Sequence, residues 1–253
     1  MFRLPLLLLA LFSAVTRADS TVVVGCGNSI PPYVIRQNDR GMMLDVLRQS
    51  LATQGYALQV RYHTNAEGVD AFNHGELDIL CISNAAASPG AYFSAQPLMK
   101  FQNIAVSLAE RNIDLSEISQ LKHYRVNGFN YATRLLPRDY ADSVALSPHY
   151  EEYADQREQV ASLFDRHADV IILDQTIFRY FLSQLRRANP GDPSLSERYR
   201  YHNLFEPAYY YAAFHSESLR DAFDEGLTVI RESGEYHSMM DTYQKMLADY
   251  LFH

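Results

Sequence analysis

The chain has 253 residues, a formal net charge of −8, 47% hydrophobic residues, 18 tyrosines and no tryptophan. The acidic balance argues against nucleic acid as a partner, because binding to phosphates needs a basic surface. No charge run, low-complexity tract or glycine–serine linker divides the chain, so its composition predicts a globular protein of one large or two modest domains.

Residues 1–18 have the layout of a secretory signal peptide. Arg3 precedes an apolar run over residues 4–15, and small residues at Thr16 and Ala18 suit cleavage after Ala18. The run is shorter than the ~20 apolar residues of a membrane span, and an uncleaved anchor is the alternative. No cysteine follows the cleavage point, which argues against a lipoprotein, so the mature chain is expected to be soluble in a bacterial periplasm.

The first part of the mature chain alternates between predicted strands and helices. β-Branched residues 21–25 predict a buried strand, and apolar side chains at helical spacing predict a helix over residues 41–56. A strand at 58–62, a short helix at 65–74 and an apolar strand at 78–82 follow. The order β-α-β-α-β favours a mostly parallel sheet with right-handed connections.

The second part repeats this α/β pattern, and two predicted strands cross between the halves. The predicted elements are a crossing strand at 104–108, a short helix at 115–121, a strand at 124–127, a helix beginning near Asn130, a helix at 152–167, a strand at 170–173, a helix at 176–187, a loop at 188–198, a second crossing strand at 209–214, and helices at 219–233 and 237–251. We therefore predict one lobe from residues 19–101 and 212–253 and a second from residues 102–211.

Two residues follow predicted strands at places where open α/β sheets hold their ligands. Tyr33 comes after the first strand and the paired prolines Pro31 and Pro32, which fix an extended loop. Asp174 ends the strand at 170–173, where a carboxylate could make a charge-assisted bond to a solute. Tyr33 could equally be an incidental aromatic residue in a surface turn.

The two cysteines, Cys26 and Cys81, both lie in predicted strands. An oxidising compartment permits a disulfide, and neighbouring parallel strands would bring the two close enough for one. Two small buried hydrophobic side chains are the alternative. Neither arrangement implies a metal site.

The common signatures of catalysis are absent from the sequence. It contains no HExxH motif, no GxSxG elbow and no GxxxxGK[ST] phosphate loop. Asp174 could in principle act as a base in a closed cleft, but no second catalytic group can be named. We therefore expect a protein that is not an enzyme and that uses no metal or cofactor.

An ordered set of motifs resembles the bacterial extracellular solute-binding proteins of family 3, the periplasmic receptors of polar amino-acid ABC transporters. The set spans nearly the whole mature chain and comprises Pro31, Pro32, Tyr33, Gly41, Asp45, Phe72, Gly75, Asp78, Phe93, Ser94, Pro97, residues 163–174, Phe214, Leu219, Leu227, Gly234 and Tyr243. The resemblance implies a type II periplasmic-binding-protein fold, in which two α/β lobes joined by two hinge crossings close on a small ligand. It also implies a monomer that docks on an inner-membrane permease complex.

The same resemblance suggests roles for three places in the sequence. Tyr33 matches the aromatic residue on which family members stack their ligand, and Asp174 matches the acidic residue that meets the ligand's α-ammonium group. The turn at 128–131 matches a helix N-terminus that holds the α-carboxylate, although Asn130 and Tyr131 replace the usual small hydroxyl residues. Asn130 could instead be a simple helix cap.

One departure from the family concerns the carboxylate. Family members place an arginine between the first-lobe strand and the Phe-Ser motif, whereas residues 83–92 contain no Arg or Lys. Either Arg134 supplies the missing charge, or Arg134 is a solvated helix residue and the ligand is not a standard α-amino acid. In the second case Ser83, Asn84 and Ser88 would offer neutral hydrogen bonds to a polar ligand.

The resemblance implies a periplasmic protein that captures a small polar solute, an amino acid or a related compound, for ABC-type uptake. Two alternatives use the same ligand-driven closure of the lobes. One is a sensing module that docks on a signalling receptor, and the other is a dehydratase or lyase on the same fold. Glu151 and Glu152 are expected to be solvated on a helix face.

Overall fold

The computed structural model describes residues 20–27 and 30–248, so the predicted signal peptide lies outside the described residues. The strands are β1 (Ser20–Gly27), β2 (Tyr56–His63), β3 (Ile79–Ser83), β4 (Tyr92–Phe93), β5 (Met99–Phe101), β6 (Asn103–Leu108), β7 (Arg125–Phe129), β8 (His149–Tyr153), β9 (Val170–Asp174), β10 (Tyr199–His202) and β11 (Ala208–Phe214). The helices are α1 (Met42–Ala52), α2 (Asn65–Asn73), α3 (Ala132–Leu135), α4 (Arg138–Val144), α5 (Gln156–Phe164), α6 (Gln175–Ala188), α7 (Glu217–Glu232) and α8 (Glu235–Ala248).

The strands form two sheets of mixed direction, one for each predicted lobe. The first has the order β2-β1-β3-β11-β4, with β5 paired to β11, and the second has the order β10-β6-β9-β7-β8. In the first sheet β1 runs parallel to β2 and β3, and in the second β7 runs parallel to β8 and β9. The predicted α/β class is confirmed, and the parallel strands of each sheet end at a common edge.

Two connections run between the sheets, and they lie side by side. β5 leads through Gln102 into β6, and β10 leads back into β11, whose Ala208 pairs with Phe101 of β5. The chain therefore passes from the first sheet to the second between Phe101 and Asn103, and it returns to the first between His202 and Ala208. The division of lobes at 101/102 and 211/212 stays a prediction, and β11 lies wholly in the first sheet.

A continuous apolar core links the two halves. Helix α1 packs against α7, and α6 of the second half packs against α8 of the first. One buried cluster includes Leu47 and Phe223 from the first half together with Ile171 and Phe178 from the second. This shared packing holds the two sheets together.

The predicted helix at 152–167 is wrong at its start. Residues of β8 pair with β7, and the helix α5 begins only at Gln156. Asp155 sets this boundary, because its side chain accepts a hydrogen bond of 2.8 Å from the backbone N–H of Arg157. Glu152 therefore lies on a strand and not on a solvated helix face.

Three further differences concern short elements. The helix predicted at 115–121 is a 3₁₀ helix at Ile118–His123, and the helix expected near Asn130 begins at Ala132. The strands β4, β5, β8 and β10 and the helix α4 were not predicted from the sequence. All five are short, and short elements give weak periodic signals.

A disulfide bond joins Cys26 at the end of β1 to Cys81 in β3. The parallel register pairs Val24 with Ile79, which brings the two cysteines side by side with a Cα–Cα distance of 5.1 Å. The structure thus decides between the two arrangements considered from the sequence. The bond fixes β1 against β3 next to the edge where both strands end.

The helices of the described residues include none that is both long enough and apolar enough to span a membrane. Longer helices such as α7 instead bury one apolar side, with Leu219, Phe223, Leu227 and Ile230 directed inward.

Candidate functional site

The two sheets meet at a hydrogen bond between Tyr33 and Asp174. The Tyr33 hydroxyl donates to Oδ1 of Asp174 across 3.1 Å, and each residue is only 2% exposed. Tyr33 follows β1 in a loop that contains a cis peptide bond between Pro31 and Pro32, and its backbone N–H donates to Ile30 at 2.9 Å. The Tyr33–Asp174 bond therefore shows that the carboxyl edges of the two sheets face each other.

Asp174 ends β9 and caps α6, and its carboxylate accepts four hydrogen bonds. Oδ1 accepts from Tyr33 and from the backbone N–H groups of Thr176 and Ile177 at 2.8 and 3.0 Å, while Oδ2 accepts from the backbone N–H of Gln102 at 2.8 Å. Burial raises the pKa of this carboxyl group, and the hydrogen bonds offset only part of that effect. Three of the four bonds end on Oδ1 and one on Oδ2, so Oδ1 is saturated while Oδ2 retains one acceptor site.

Aromatic rings surround the Tyr33–Asp174 bond on the hinge strands. The Tyr33 ring stacks on Phe101 with centroids 4.1 Å apart, and Tyr210 meets Phe101 edge-on at 4.8 Å. Burial and the neighbouring Asp174 carboxylate raise the pKa of Tyr33, so its hydroxyl stays protonated and donates. These rings form an apolar base where the two connections between the sheets lie side by side.

The first-lobe candidates follow β3 and form one small cluster. The Ser83 and Ser88 hydroxyls share a hydrogen bond of 2.7 Å, and Ser88 is fully buried. The Asn84 side-chain oxygen accepts from the backbone N–H groups of Ala86 and Ala87, each at 3.0 Å. Ser83 and Ser88 thus lie together, while the oxygen of Asn84 holds the turn that follows the strand.

The second-lobe candidates lie on the turn after β7. Asn130 and Arg134 are exposed, and the Arg134 guanidinium lies 5.3 Å from the centre of the Tyr131 ring. Tyr131 has a φ of +63°, a left-handed conformation that is uncommon for a residue other than glycine. Neither Asn130 nor Tyr131 caps α3 through its side chain, because Tyr131 is the N-cap residue and makes no side-chain cap bond.

Glu152 accepts hydrogen bonds from backbone N–H groups of this turn that were expected to bind the carboxylate of a solute. Its Oε2 accepts from the backbone N–H of Tyr131 at 2.8 Å, and its Oε1 accepts from the backbone N–H and hydroxyl of Thr133 at 2.9 and 2.8 Å and from the Tyr150 hydroxyl at 2.9 Å. Burial on its own would raise the pKa of Glu152, but these hydrogen bonds hold it below its usual value. The expectation of free N–H groups at this turn is therefore wrong for Tyr131 and Thr133.

The strand register places both carboxylates at one edge of the second sheet. Gly128 of β7 pairs with Glu152 of β8 on one side and with Ile172 of β9 on the other, two residues before Asp174. Sequence reasoning identified Asp174 but missed Glu152. No clear signal for it was present in the sequence, because HYEEY lacks the apolar run of a buried strand.

A surface cavity of about 420 Å³ lies elsewhere, between α1 and α8, and includes Arg40, Asp45 and Tyr243 in its lining. Asp45 is 3% exposed and accepts from the Tyr243 hydroxyl at 2.6 Å, from Arg40 at 3.0 Å and from Arg48 at 3.1 Å. The backbone N–H of Gly41 donates to the Tyr243 hydroxyl at 3.0 Å. These contacts tie α8 to α1, which gives the motif residues Gly41, Asp45 and Tyr243 a structural role.

Within the described part of the chain, no three His, Cys, Asp or Glu side chains are grouped to hold a metal ion.

No model of a protein family matches the sequence, and no curated protein matches it. Solved structures do match in fold. The amino-acid ABC transporter substrate-binding protein AbpA of Streptococcus pneumoniae, bound to L-arginine, is 15% identical with a TM-score of 0.65, covering 90% of this chain and 96% of that one.

Two other similar structures come from different classes of protein. A histidine kinase sensor domain with similarity to periplasmic binding proteins is 17% identical with a TM-score of 0.65, covering 89% of this chain and 96% of that one. The ancestral amino-acid-binding protein AncCDT-1, a precursor of cyclohexadienyl dehydratase, is 13% identical with a TM-score of 0.65, covering 88% of this chain and 95% of that one. The likeness confirms the two-lobed periplasmic-binding-protein fold, and most of the matching structures are binding proteins.

Proposed function

We propose that this chain is an extracellular solute-binding protein of family 3, which captures a small polar solute between its lobes and delivers it to an ABC-type permease. The observation that supports this most directly is the Tyr33–Asp174 bond, because it joins the carboxyl edges of two sheets between which the described chain passes at β5–β6 and at β10–β11. In this proposal, polar groups from both lobes border that junction. Rotation of one lobe about the crossings would open and close it.

The candidate contacts divide between the lobes. Tyr33, Ser83, Asn84 and Ser88 belong to the first lobe, and Asn130, Arg134 and Asp174 to the second. In this proposal a solute lies over the aromatic base and bonds with the hydroxyl and amide groups of both sides. Asp174 contributes negative charge and fixes Tyr33, the crossing at Gln102 and the start of α6 in one arrangement. Closure is then stabilised because only the closed form makes both sets of contacts.

The proposed location is the periplasm, reached through the signal peptide over residues 1–18, and the proposed state is a monomer. The apolar run after Arg3 supports export. A periplasmic location also agrees with the disulfide bond between Cys26 and Cys81, since such bonds persist in oxidising compartments.

A sensing role is the second candidate, and the likeness to a histidine kinase sensor domain favours it. Both roles use solute-driven closure, so the docking partner separates them. Cross-linking of the closed protein in its host should capture a permease for transport or a sensor for signalling. The third possibility, a dehydratase or lyase, has a candidate base in Asp174. Unchanged solute after prolonged incubation would support a role in binding alone.

The proposal is tested by a thermal-shift screen of protein that has been unfolded, stripped of bound solute and refolded. The panel contains amino acids, amines, small carboxylates, neutral polar solutes and peptidoglycan fragments. A solute at 100 times its dissociation constant adds about 2.7 kcal/mol to the free energy of unfolding, which a melting curve resolves readily. We expect a rise in melting temperature with at least one member of the panel, and a panel without any effect would contradict the proposal.

A further inference from the structure

Glu152 supplies an internal carboxylate at the turn after β7. All four of its hydrogen bonds come from that turn and from Tyr150 on its own strand, with distances of 2.8 to 2.9 Å. The helix that follows the turn, α3, has only four residues and has no side-chain cap from Tyr131. Glu152 therefore takes the place of the missing cap and neutralises donors that would otherwise attract an anion.

A solute carboxylate could replace Glu152 only at a high cost. Its entry would strip the Glu152 side chain of the bonds from Tyr131 and Thr133 and bring two carboxylates into the same space. Like charges in close contact cost several kcal/mol, and donors that bind a carboxylate do so more strongly than they bind neutral groups. The turn consequently favours solutes that do not accept hydrogen bonds from the backbone N–H groups of Tyr131 and Thr133.

The loop that follows β3 in the opposite lobe supplies no cation for a carboxylate. Residues 83–92 contain no Lys or Arg, and the Ser83 and Ser88 hydroxyls bond to each other. On the turn itself the cation is Arg134, which is exposed and lies over the Tyr131 ring. Two carboxylates, Glu152 and Asp174, lie at the edge of the second sheet that borders this turn.

We infer that the solute is a small amine without a carboxylate group, and that Glu152 determines this specificity. The inference rests on the proposed function and narrows its solute class. Carboxylates at the sheet edge attract a cationic group, and the exposed Tyr131 ring accepts such a group through cation–π contact, as it already does from Arg134. An α-amino acid would bring the same cation together with a carboxylate that the edge repels.

The test uses pairs of solutes that differ only by a carboxylate: arginine and agmatine, lysine and cadaverine, histidine and histamine, and tyrosine and tyramine. Titration calorimetry on the refolded, ligand-stripped protein gives the affinity of each. We expect the amine to bind at least about tenfold more tightly than its amino acid in each pair that binds, because only the amino acid suffers the like-charge repulsion.

Variants at Glu152 identify the cause of this preference. Glu152→Ala opens the Tyr131 and Thr133 N–H groups, and Glu152→Gln keeps the side-chain shape but removes its charge. Both should bind the amino acids more tightly and so reduce the ratio within each pair. Glu151→Ala is the matched control, because it removes an equal charge from an exposed neighbour on the same strand and should leave the ratio unchanged. The glutamine variant keeps the test valid if the alanine variant does not fold.

The outcomes separate this inference from the function on which it rests. If an amino acid binds as tightly as its amine, if only neutral solutes bind, or if the Glu152 variants leave the ratio unchanged, the inference is overturned while solute binding stands. If no solute of any class binds, the proposed function fails, and the inference fails with it.

Discussion

Asp174 illustrates how one side chain can serve both fold and function at the residue scale. It caps α6, fixes the crossing at Gln102 and receives the hydroxyl of Tyr33 from the other lobe. The sequence predicted the place of Tyr33 and Asp174, because each follows an apparent strand end. It could not predict that they bond to each other, since that contact joins residues 141 positions apart and depends on how the two lobes meet.

The Tyr33 hydroxyl should contribute measurably to stability. Tyr33→Phe removes one donor from a buried carboxylate and keeps the stacked ring, so the free energy of unfolding should fall by about 1.5–3 kcal/mol, the usual range for hydrogen bonds to charged groups. Urea denaturation followed by circular dichroism measures this change. Tyr92→Phe, which removes a hydroxyl from an exposed tyrosine, is the control and should change stability by less than about 0.5 kcal/mol. Equal effects of the two substitutions would show that the bond across the lobes adds nothing.

At the scale of elements, the same device recurs at the start of a central strand in each lobe. Asp78 precedes β3 and accepts from the backbone N–H of Val23 in β1 at 2.7 Å. Asp169 precedes β9 and accepts from the backbone N–H of Arg125 in β7 at 3.0 Å. The repeated pattern of an aspartate before an apolar strand, visible in the sequence, thus marks two places where a side chain extends the pairing of parallel strands.

Asp169 should give the second lobe a defined sensitivity to acid. Burial alone would raise its pKa, but bonds from Arg125 and the charge of Arg111 hold the pKa below its usual value. Because the folded pKa is the lower one, the stabilisation is present above the unfolded value of about 3.9 and is lost as pH falls through the folded pKa. The partner arginines are partly exposed, so we expect Asp169→Asn to cost about 1–2 kcal/mol at pH 7.

The measurement is the difference in free energy of unfolding between the wild type and Asp169→Asn from pH 7 to pH 2. This difference should shrink below about pH 4. Asp165→Asn, at a nearby exposed position, is the control and should show a small difference at every pH. A difference for Asp169→Asn that stays constant down to pH 2 would contradict the account of its ion pairs.

The elements that the sequence missed share a physical cause. The strands β8 and β10 are the two edges of the second sheet, and most of their side chains are exposed or only partly buried. Edge strands carry no continuous apolar run, so HYEEY and YRYH gave no signal comparable to that of the buried strand β9, which has the sequence VIILD. Placing Glu152 on a helix followed from this error and concealed its role at the turn.

At the scale of the whole molecule, the order of apolar strands and amphipathic helices was enough to predict two α/β lobes with two crossings. Long-range packing determines how the two sheets meet, how α6 contacts α8 and where Glu152 lies relative to Asp174. The residues of the family motif accordingly fall into two groups. Gly41, Asp45 and Tyr243 hold the first lobe together, whereas Tyr33 and Asp174 lie where the lobes meet.

Hydrogen exchange of the protein with and without solute tests the central claim, capture of a solute between two lobes, most directly. The probe is the solute that gives the largest thermal shift in the panel, and the readout is amide exchange followed by mass spectrometry. We predict slower exchange at residues 83–92 of the first lobe and at residues 128–134 of the second at the same time, because closure buries both segments. Protection confined to one lobe, or to the surface between α1 and α8, would contradict the account.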